Sequence, residues 1–286
     1  MRLVNFQVAQ RRSCGVLTPE GIVDVGAKLR GSVADVLSLV RADLLQSALA
    51  AARVGSCDYA TDEVRFLNPA GRCARYFCIG VNYPDRNEEY KDGSERPRYP
   101  SIFMRSHTSF AAPGEAIVRP RESEQLDYEG EIAIVIGRGG RRIREEEALE
   151  HVLGYCCANE GSVRDWLRHA KFNVTQGKNF DRSGSLGPCI VTAEEVGPAP
   201  LRVTTRVNGE IRQDDTSDRM IFPIPYLISY LSTFCSLEVG DVILTGTPSG
   251  AGARLDPPRY LVPADVVEVE VSRVGVLRNE VEDDDG

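Results

Sequence analysis

Three short apolar runs open the chain. Leu3-Val4-Asn5-Phe6, Gly15-Val16-Leu17 and Ile22-Val23-Asp24-Val25 are separated by turn residues, a spacing that predicts small strands. A helical period follows. Val33, Val36, Leu37, Val40, Leu44, Leu45 and Ala48 recur every three or four residues and predict a helix from about Ser32 to Arg53. Asn68-Pro69-Ala70-Gly71 then interrupts the pattern before the apolar run Tyr76-Phe77-Cys78-Ile79-Gly80. A small N-terminal α+β domain is therefore expected over 1–68, and a larger domain over 69–286. The larger unit reads mainly as short strands, at 101–104, 116–118, 130–136, 189–192, 201–208, 241–245 and 266–271. Helices are predicted at 144–153, with Glu145-Glu146-Glu147 in the first turn, at about 162–170, with Ser162 as cap, and near 226–235. Strands and helices do not alternate regularly, which argues against a doubly wound sheet and for a mainly β fold with a few helices.

Charge and cysteine usage narrow the function classes. A formal net charge of -8 argues against the clustered basic surface that nucleic acid requires. The eight cysteines form no CxxC pair, and three histidines offer little to a zinc site. Met1-Arg2-Leu3-Val4-Asn5-Phe6 lacks the apolar core of a signal peptide, so a reducing cytoplasm is the expected setting. The longest hydrophobic stretch, Ile221 to Val239, carries Pro223, Pro225 and several hydroxyl residues, which suits a soluble helix rather than a membrane span.

Acids inside an apolar pattern are the chemical signal. Glu129 and Glu131 lie two apart in Asp127-Tyr128-Glu129-Gly130-Glu131-Ile132, so alternation along a strand puts them on one face. Glu160 follows in Asn159-Glu160-Gly161. Adjacent carboxylates on an apolar strand repel each other and lose hydration together unless a cation neutralises them. Oxygen ligands of this kind suit Mg2+, Mn2+ or Ca2+.

From about residue 76 to 281 several ordered blocks make the chain resemble the fumarylacetoacetate hydrolase family. They are Gly80-Val81-Asn82-Tyr83, Tyr99-Pro100-Ser101-Ile102-Phe103-Met104-Arg105, Asp127-Tyr128-Glu129-Gly130-Glu131, Asn208-Gly209-Glu210-Ile211-Arg212-Gln213, Gly240-Asp241-Val242-Ile243-Leu244-Thr245-Gly246-Thr247-Pro248-Ser249-Gly250 and Gly275-Val276-Leu277-Arg278-Asn279. The resemblance implies a mixed β roll, a homodimer, and Mg2+ or Mn2+ held by Glu129, Glu131 and Glu160. It also implies a small 2-oxo or 2,4-dioxo acid as substrate, with hydrolytic C–C cleavage of an acylpyruvate as the first expectation. Decarboxylation or isomerisation is the alternative, and a metal-dependent binder without turnover is the third reading.

Two positions depart from the family pattern. Glu160 stands where an Asp is common, and Gly161 beside it is expected to allow for the longer side chain. Arg86 stands where hydrolytic members carry the His of a water-activating His–Glu pair, with Glu89 at the Glu position. Arginine stays protonated and cannot be that base. Glu89 and Arg86 are thus expected catalytic residues, with Arg86 suited to a second substrate carboxylate, and the resemblance adds Lys178, which in Gln176-Gly177-Lys178-Asn179-Phe180 matches a family Lys near the substrate. Residues 84–98, with Gly93 and Pro97, read as a mobile lid. Arg105, Gln213 and Thr247 are the expected substrate contacts. Arg164, one helical turn beyond Glu160, is either a further contact or structural support, and His107 is a candidate replacement acid or base.

Overall fold

The structure, a computed structural model, describes residues 1–29, 33–54, 56–71, 75–89, 96–169 and 173–285. Its centre is the strand Gly130–Ile136, buried along its whole length, as a near-continuous apolar run covered on both faces requires. It pairs antiparallel with Val152–Asn159 on one side, Gly130 facing Asn159 and Glu131 facing Ala158, and with Val242–Leu244 on the other. The sheet continues through Gly184–Thr192, Arg2–Val8, Arg11–Thr18 and Gly21–Asp24 in one direction. In the other it runs through Tyr76–Gly80 to Ser101–Arg105. A second sheet of five strands orders Glu210–Thr216, Arg202–Val207, Val266–Val271, Gly275–Asp283 and Ile117–Arg119. Most neighbours are antiparallel, but Val242–Leu244 runs parallel to Tyr76–Gly80, so the β structure is mixed.

Alternation along the central strand divides the core. Ile132, Ile134 and Ile136 pack with Val203, Val269 and Leu277 of the second sheet. Ala133 and Val135 pack with Val36, Leu37 and Ala48 from the N-terminal helices. The turn expected at 68–71 is present, with Gly71 N–H donating to Asn68 O at 3.0 Å. Pairing nevertheless crosses it: Arg2 and Leu3 join Val191 and Ile190, so the N-terminal strands extend the same large sheet.

The helix expected from Ser32 to Arg53 is two helices, Val36–Arg41 and Leu45–Val54; its expected start lies outside the described residues. Asp35 caps the first through a bond from Ser38 N–H, and Asp43 breaks the run at φ 54°. The segment 144–153 holds a 3-10 turn, Glu145–His151, and extended chain from Val152. Nor is 162–170 a helix: Ser162–Val163 pairs with Leu126–Asp127, a 3-10 turn covers Asp165–Arg168, and residue 170 lies outside the described residues. Ser162 therefore sits in a strand pair and caps nothing. The helix near 226–235 is Ile224–Phe234. No helix of the described residues is long and apolar enough to cross a membrane.

Candidate metal and substrate site

The register of the central pair builds the acidic cluster. Glu129 N–H donates to the Asn159 side chain at 2.9 Å, and Glu160 N–H donates to Glu129 O at 2.7 Å, so Glu160 emerges beside Glu129. Carboxylate oxygens of Glu129, Glu131 and Glu160 all lie within 4.8 Å of one another, and all three residues are buried. Two glycines permit this. A Cβ on Gly130 would meet Thr205 Oγ1 at 1.9 Å, and one on Gly161 would meet Ser183 O at 1.9 Å. Gly161 is thus required by the crossing of the Ser183 chain, which is a tighter constraint than making room for a longer ligand.

Four cations surround these acids. Lys178 Nζ donates to Glu129 Oε2 at 2.6 Å and to Glu160 Oε2, over the Phe103 ring. Arg105 Nη1 donates to Glu160 Oε1 at 2.7 Å. Arg86 Nη2 donates to Glu129 Oε1 at 3.2 Å. Arg164 is fixed by its Nε–H donating to Asp127 Oδ2 at 2.8 Å, and its Nη2 lies 2.7 Å from Glu129 Oε1 as a charge contact rather than an aligned hydrogen bond. Burial opposes ionisation of Glu129, but Lys178, Arg164 and Arg86 hold it well below the usual carboxylate range. Burial drives Glu131 well above that range, and Glu160 and Glu129 push it further in the same direction. Burial also raises Glu160, against Lys178 and Arg105.

The donor set fits a hard divalent cation. It offers only oxygens, it is buried, and among the described residues it leaves Glu131 without an ion-pair partner of its own while Gly246 N–H donates to it at 2.7 Å. A cleft of about 390 Å³ opens onto the cluster, lined by Glu129, Glu131, Glu160, Arg86, Arg164, Lys178 and Thr247 among others. Room for a small acid next to a charged cluster is what a chelating substrate needs.

The start of the expected lid, Pro84–Glu88, is helical; residues 90–95, including Gly93, lie outside the described residues. Its base is clamped by Asn82, whose side chain donates to Thr245 O at 2.7 Å and to Phe222 O at 3.1 Å. Val81 beside it sits at φ 51°, a costly conformation for a β-branched residue that the clamp enforces. Arg86 Nη1 donates to Glu89 Oε2 at 2.7 Å, and Gly250 N–H donates to Glu89 Oε1 at 2.7 Å. Both oxygens of Glu89 are thereby engaged.

Three expected substrate contacts are engaged with the protein itself. Arg105 has all five N–H directions taken by the protein: Nε by Ser109 Oγ, Nη1 by Glu160 and Gly161 O, Nη2 by Ser109 O and Ser183 Oγ. It positions Glu160 and has no donor left for an anion. Gln213 accepts from Gly130 N–H at 2.9 Å and donates to Thr247 Oγ1 and Pro248 O. Thr247 spends its hydroxyl on Gly130 O at 2.9 Å, although the residue lines the cleft. Arg164 reaches the site from the turn between the strand Ser162–Val163 and the 3-10 turn Asp165–Arg168, and not from a helical turn beyond Glu160. His107 is exposed and lines a different cavity, with Arg12 and Asp35, so it does not approach the cluster. Sequence reasoning missed Asp127, whose carboxylate accepts from Gly252 N–H, Ala253 N–H and Arg164. Its only signal was its place in the Asp-Tyr-Glu-Gly-Glu block.

Residues 75–282 match the family described as fumarylacetoacetate (FAA) hydrolase C-terminal. Oxaloacetate tautomerase YisK of Bacillus subtilis (strain 168) is 39% identical over 232 residues, which cover 80% of this chain and 76% of that protein. The fumarylacetoacetate hydrolase from psychrophilic Exiguobacterium antarcticum is similar in structure, with a TM-score of 0.83 at 33% identity over 99% of this chain and 100% of that one. Maleylpyruvate hydrolase from Sphingobium sp. SYK-6, in complex with manganese (II) ion and pyruvate, gives a TM-score of 0.81 at 26% identity over 99% of both chains.

Proposed function

Because the chain belongs to the fumarylacetoacetate hydrolase family, we propose that it is a divalent-metal-dependent tautomerase of a small 2-oxo acid of the oxaloacetate type. The observation that carries this reading is the state of the lid pair. Hydrolysis needs a base for water, and here Arg86 is a permanent cation while Glu89 accepts from Arg86 and from Gly250 N–H. Tautomerisation only moves a proton between C3 and the oxygen on C2, and needs no attacking water. Oxaloacetate tautomerases among the relatives support the same choice.

Glu129, Glu131 and Glu160 are the residues that would hold Mg2+ or Mn2+. A dication there would polarise the ketone of a 2-oxo acid and stabilise negative charge at its C2 oxygen. Arg164 Nη2, buried beside the cleft, binds the carboxylate next to that ketone. Lys178 carries the proton. Its ammonium reaches from the cleft wall into the cluster; burial works against that charge, and Glu129 and Glu160 outweigh it. A cation on the same carboxylates would offset part of their pull on the ammonium and loosen the hold of Lys178 on its proton.

Hydrolysis of an acylpyruvate is the second reading, favoured by the maleylpyruvate hydrolase relative. Product analysis separates the two. Loss of enol absorbance from oxaloacetate, accelerated by Mn2+-loaded protein with no pyruvate formed, is the expected result. Metal-dependent release of pyruvate and a carboxylic acid from an acylpyruvate, without enhanced enol decay, would overturn the tautomerase reading.

A further inference from the structure

Arg86 occupies two positions at once in chemical terms. It is a lid residue, on the short helix Pro84–Glu88, and it is also a counter-ion of a metal ligand, donating to Glu129 Oε1 at 3.2 Å. Its side chain is only 3% exposed, so this contact is made in a water-poor setting where charge pairs are strong. Glu129 is the most heavily compensated of the three acids: Arg86 and Arg164 share Oε1 and Lys178 holds Oε2. The carboxylates Asp127, Glu129, Glu131, Glu160 and Glu89 outnumber the cations Arg86, Arg105, Arg164 and Lys178 by one. Binding a dication therefore adds positive charge to a cluster whose acids the protein's own cations already largely compensate. Arg86 then sits beside a carboxylate that no longer needs it, facing a cleft in which it is a wall.

We propose that Arg86 couples cation binding to substrate choice: parked on Glu129 it weakens metal affinity, and a substrate with a second carboxylate draws it away, so that diacid and cation bind cooperatively. A monoacid has no group for the released guanidinium and gains less. The planar fork of arginine suits a distal carboxylate, and Glu89, latched to Gly250 N–H, keeps Arg86 over the cleft while it exchanges partners. By linkage the effect is reciprocal, so the cation tightens diacid binding by the same factor that the diacid tightens the cation. This inference rests on the reading of the cleft as a 2-oxo acid site.

The test reads metal affinity and not turnover. Mn2+ binding to the full chain is measured from the free-ion paramagnetic resonance signal, alone and with saturating trifluoropyruvate or 3,3-difluorooxaloacetate, two matched acids without a C3 proton. In the wild type the diacid should tighten Mn2+ at least about tenfold more than the monoacid, within the usual range of site–site coupling. Arg86→Gln should bind Mn2+ alone more tightly than the wild type and lose the difference between the two acids. Arg86→Lys, which keeps the charge without the fork, should retain the parked state and part of the coupling. Unchanged melting temperature in each variant verifies folding, and Glu89→Gln gives a second handle by loosening the latch with Arg86 intact. Equal tightening by both acids in the wild type, or a diacid advantage that survives in Arg86→Gln, would overturn the proposal. Failure of either acid to affect Mn2+ would instead overturn the 2-oxo acid reading beneath it.

Discussion

Replacing Arg105 by Met separates two accounts of the same residue. As a substrate contact, Arg105 would contribute to binding and little to the fold. As found here, its guanidinium is fully enclosed, pairs with Glu160 and satisfies Gly161 O, Ser109 and Ser183. Removing one partner of a buried ion pair typically costs about 3–5 kcal/mol, since the remaining carboxylate stays desolvated. For a chain of this size each kcal/mol shifts the melting temperature by roughly 2–4 °C, so Arg105→Met should lower it by roughly 6–20 °C. Arg105→Lys should not rescue it. Lysine has three donors where five are used, and two unmet buried acceptors cost about 2–6 kcal/mol. Scanning calorimetry of the metal-free protein, with Mn2+ titration in parallel, is the assay. A melting temperature within about 2 °C of wild type, together with a raised KM and unchanged metal affinity, would refute the scaffolding role and restore the anion contact.

Four further outcomes follow from the same geometry. Glu131 has its folded-state pKa raised by burial and by Glu160 and Glu129, so metal-free protein should lose stability as pH rises above the ordinary value of 4.5, and Glu131→Gln should flatten that slope. Mn2+ binding at neutral pH should accordingly release a proton, read as buffer-dependent heat in titration calorimetry; no buffer dependence would contradict it. Lys178→Met should lower kcat by roughly 10²–10⁴ while Mn2+ affinity holds or rises, because the ammonium competes for two ligand carboxylates; lost metal binding with kcat per bound metal intact would contradict the acid–base role. The expected homodimer is testable on the helix Ile224–Phe234: Leu227, Ile228 and Leu231 turn inward, leaving a ladder of Tyr226, Tyr230 and the 55% exposed Phe234. Tyr230→Glu should convert a dimer to a monomer in sedimentation, and a wild-type monomer at micromolar concentration would contradict the assembly.

Much of the site was legible because its chemistry is local. Alternation alone placed Glu129 and Glu131 together, and the motif carried Glu160 and Lys178. The strand Val152–Asn159 was not legible: fully buried on both faces, Val152-Leu153-Gly154-Tyr155-Cys156-Cys157-Ala158 shows no period, and the preceding acidic turn imitates a helix start. Extended chain from Ser162 was hidden likewise, because a serine before a polar–apolar run reads as a cap until its pairing with Asp127 is known. The roles of Arg105 and Gln213 depend on partners many residues away, such as Ser183 and Gly130, which spacing cannot supply. For Arg105 residue type indicated an anion, and the fold supplies one in Glu160.

Deuterium exchange at C3 of oxaloacetate in D2O, followed by proton resonance, tests the central claim most directly because it reports proton transfer and cleavage products in one spectrum. Mn2+-loaded protein should exchange C3 protons well above the uncatalysed rate without forming pyruvate, and both chelation and Glu131→Gln should return exchange to background. Exchange that survives metal removal, or pyruvate appearing in place of exchange, would contradict it.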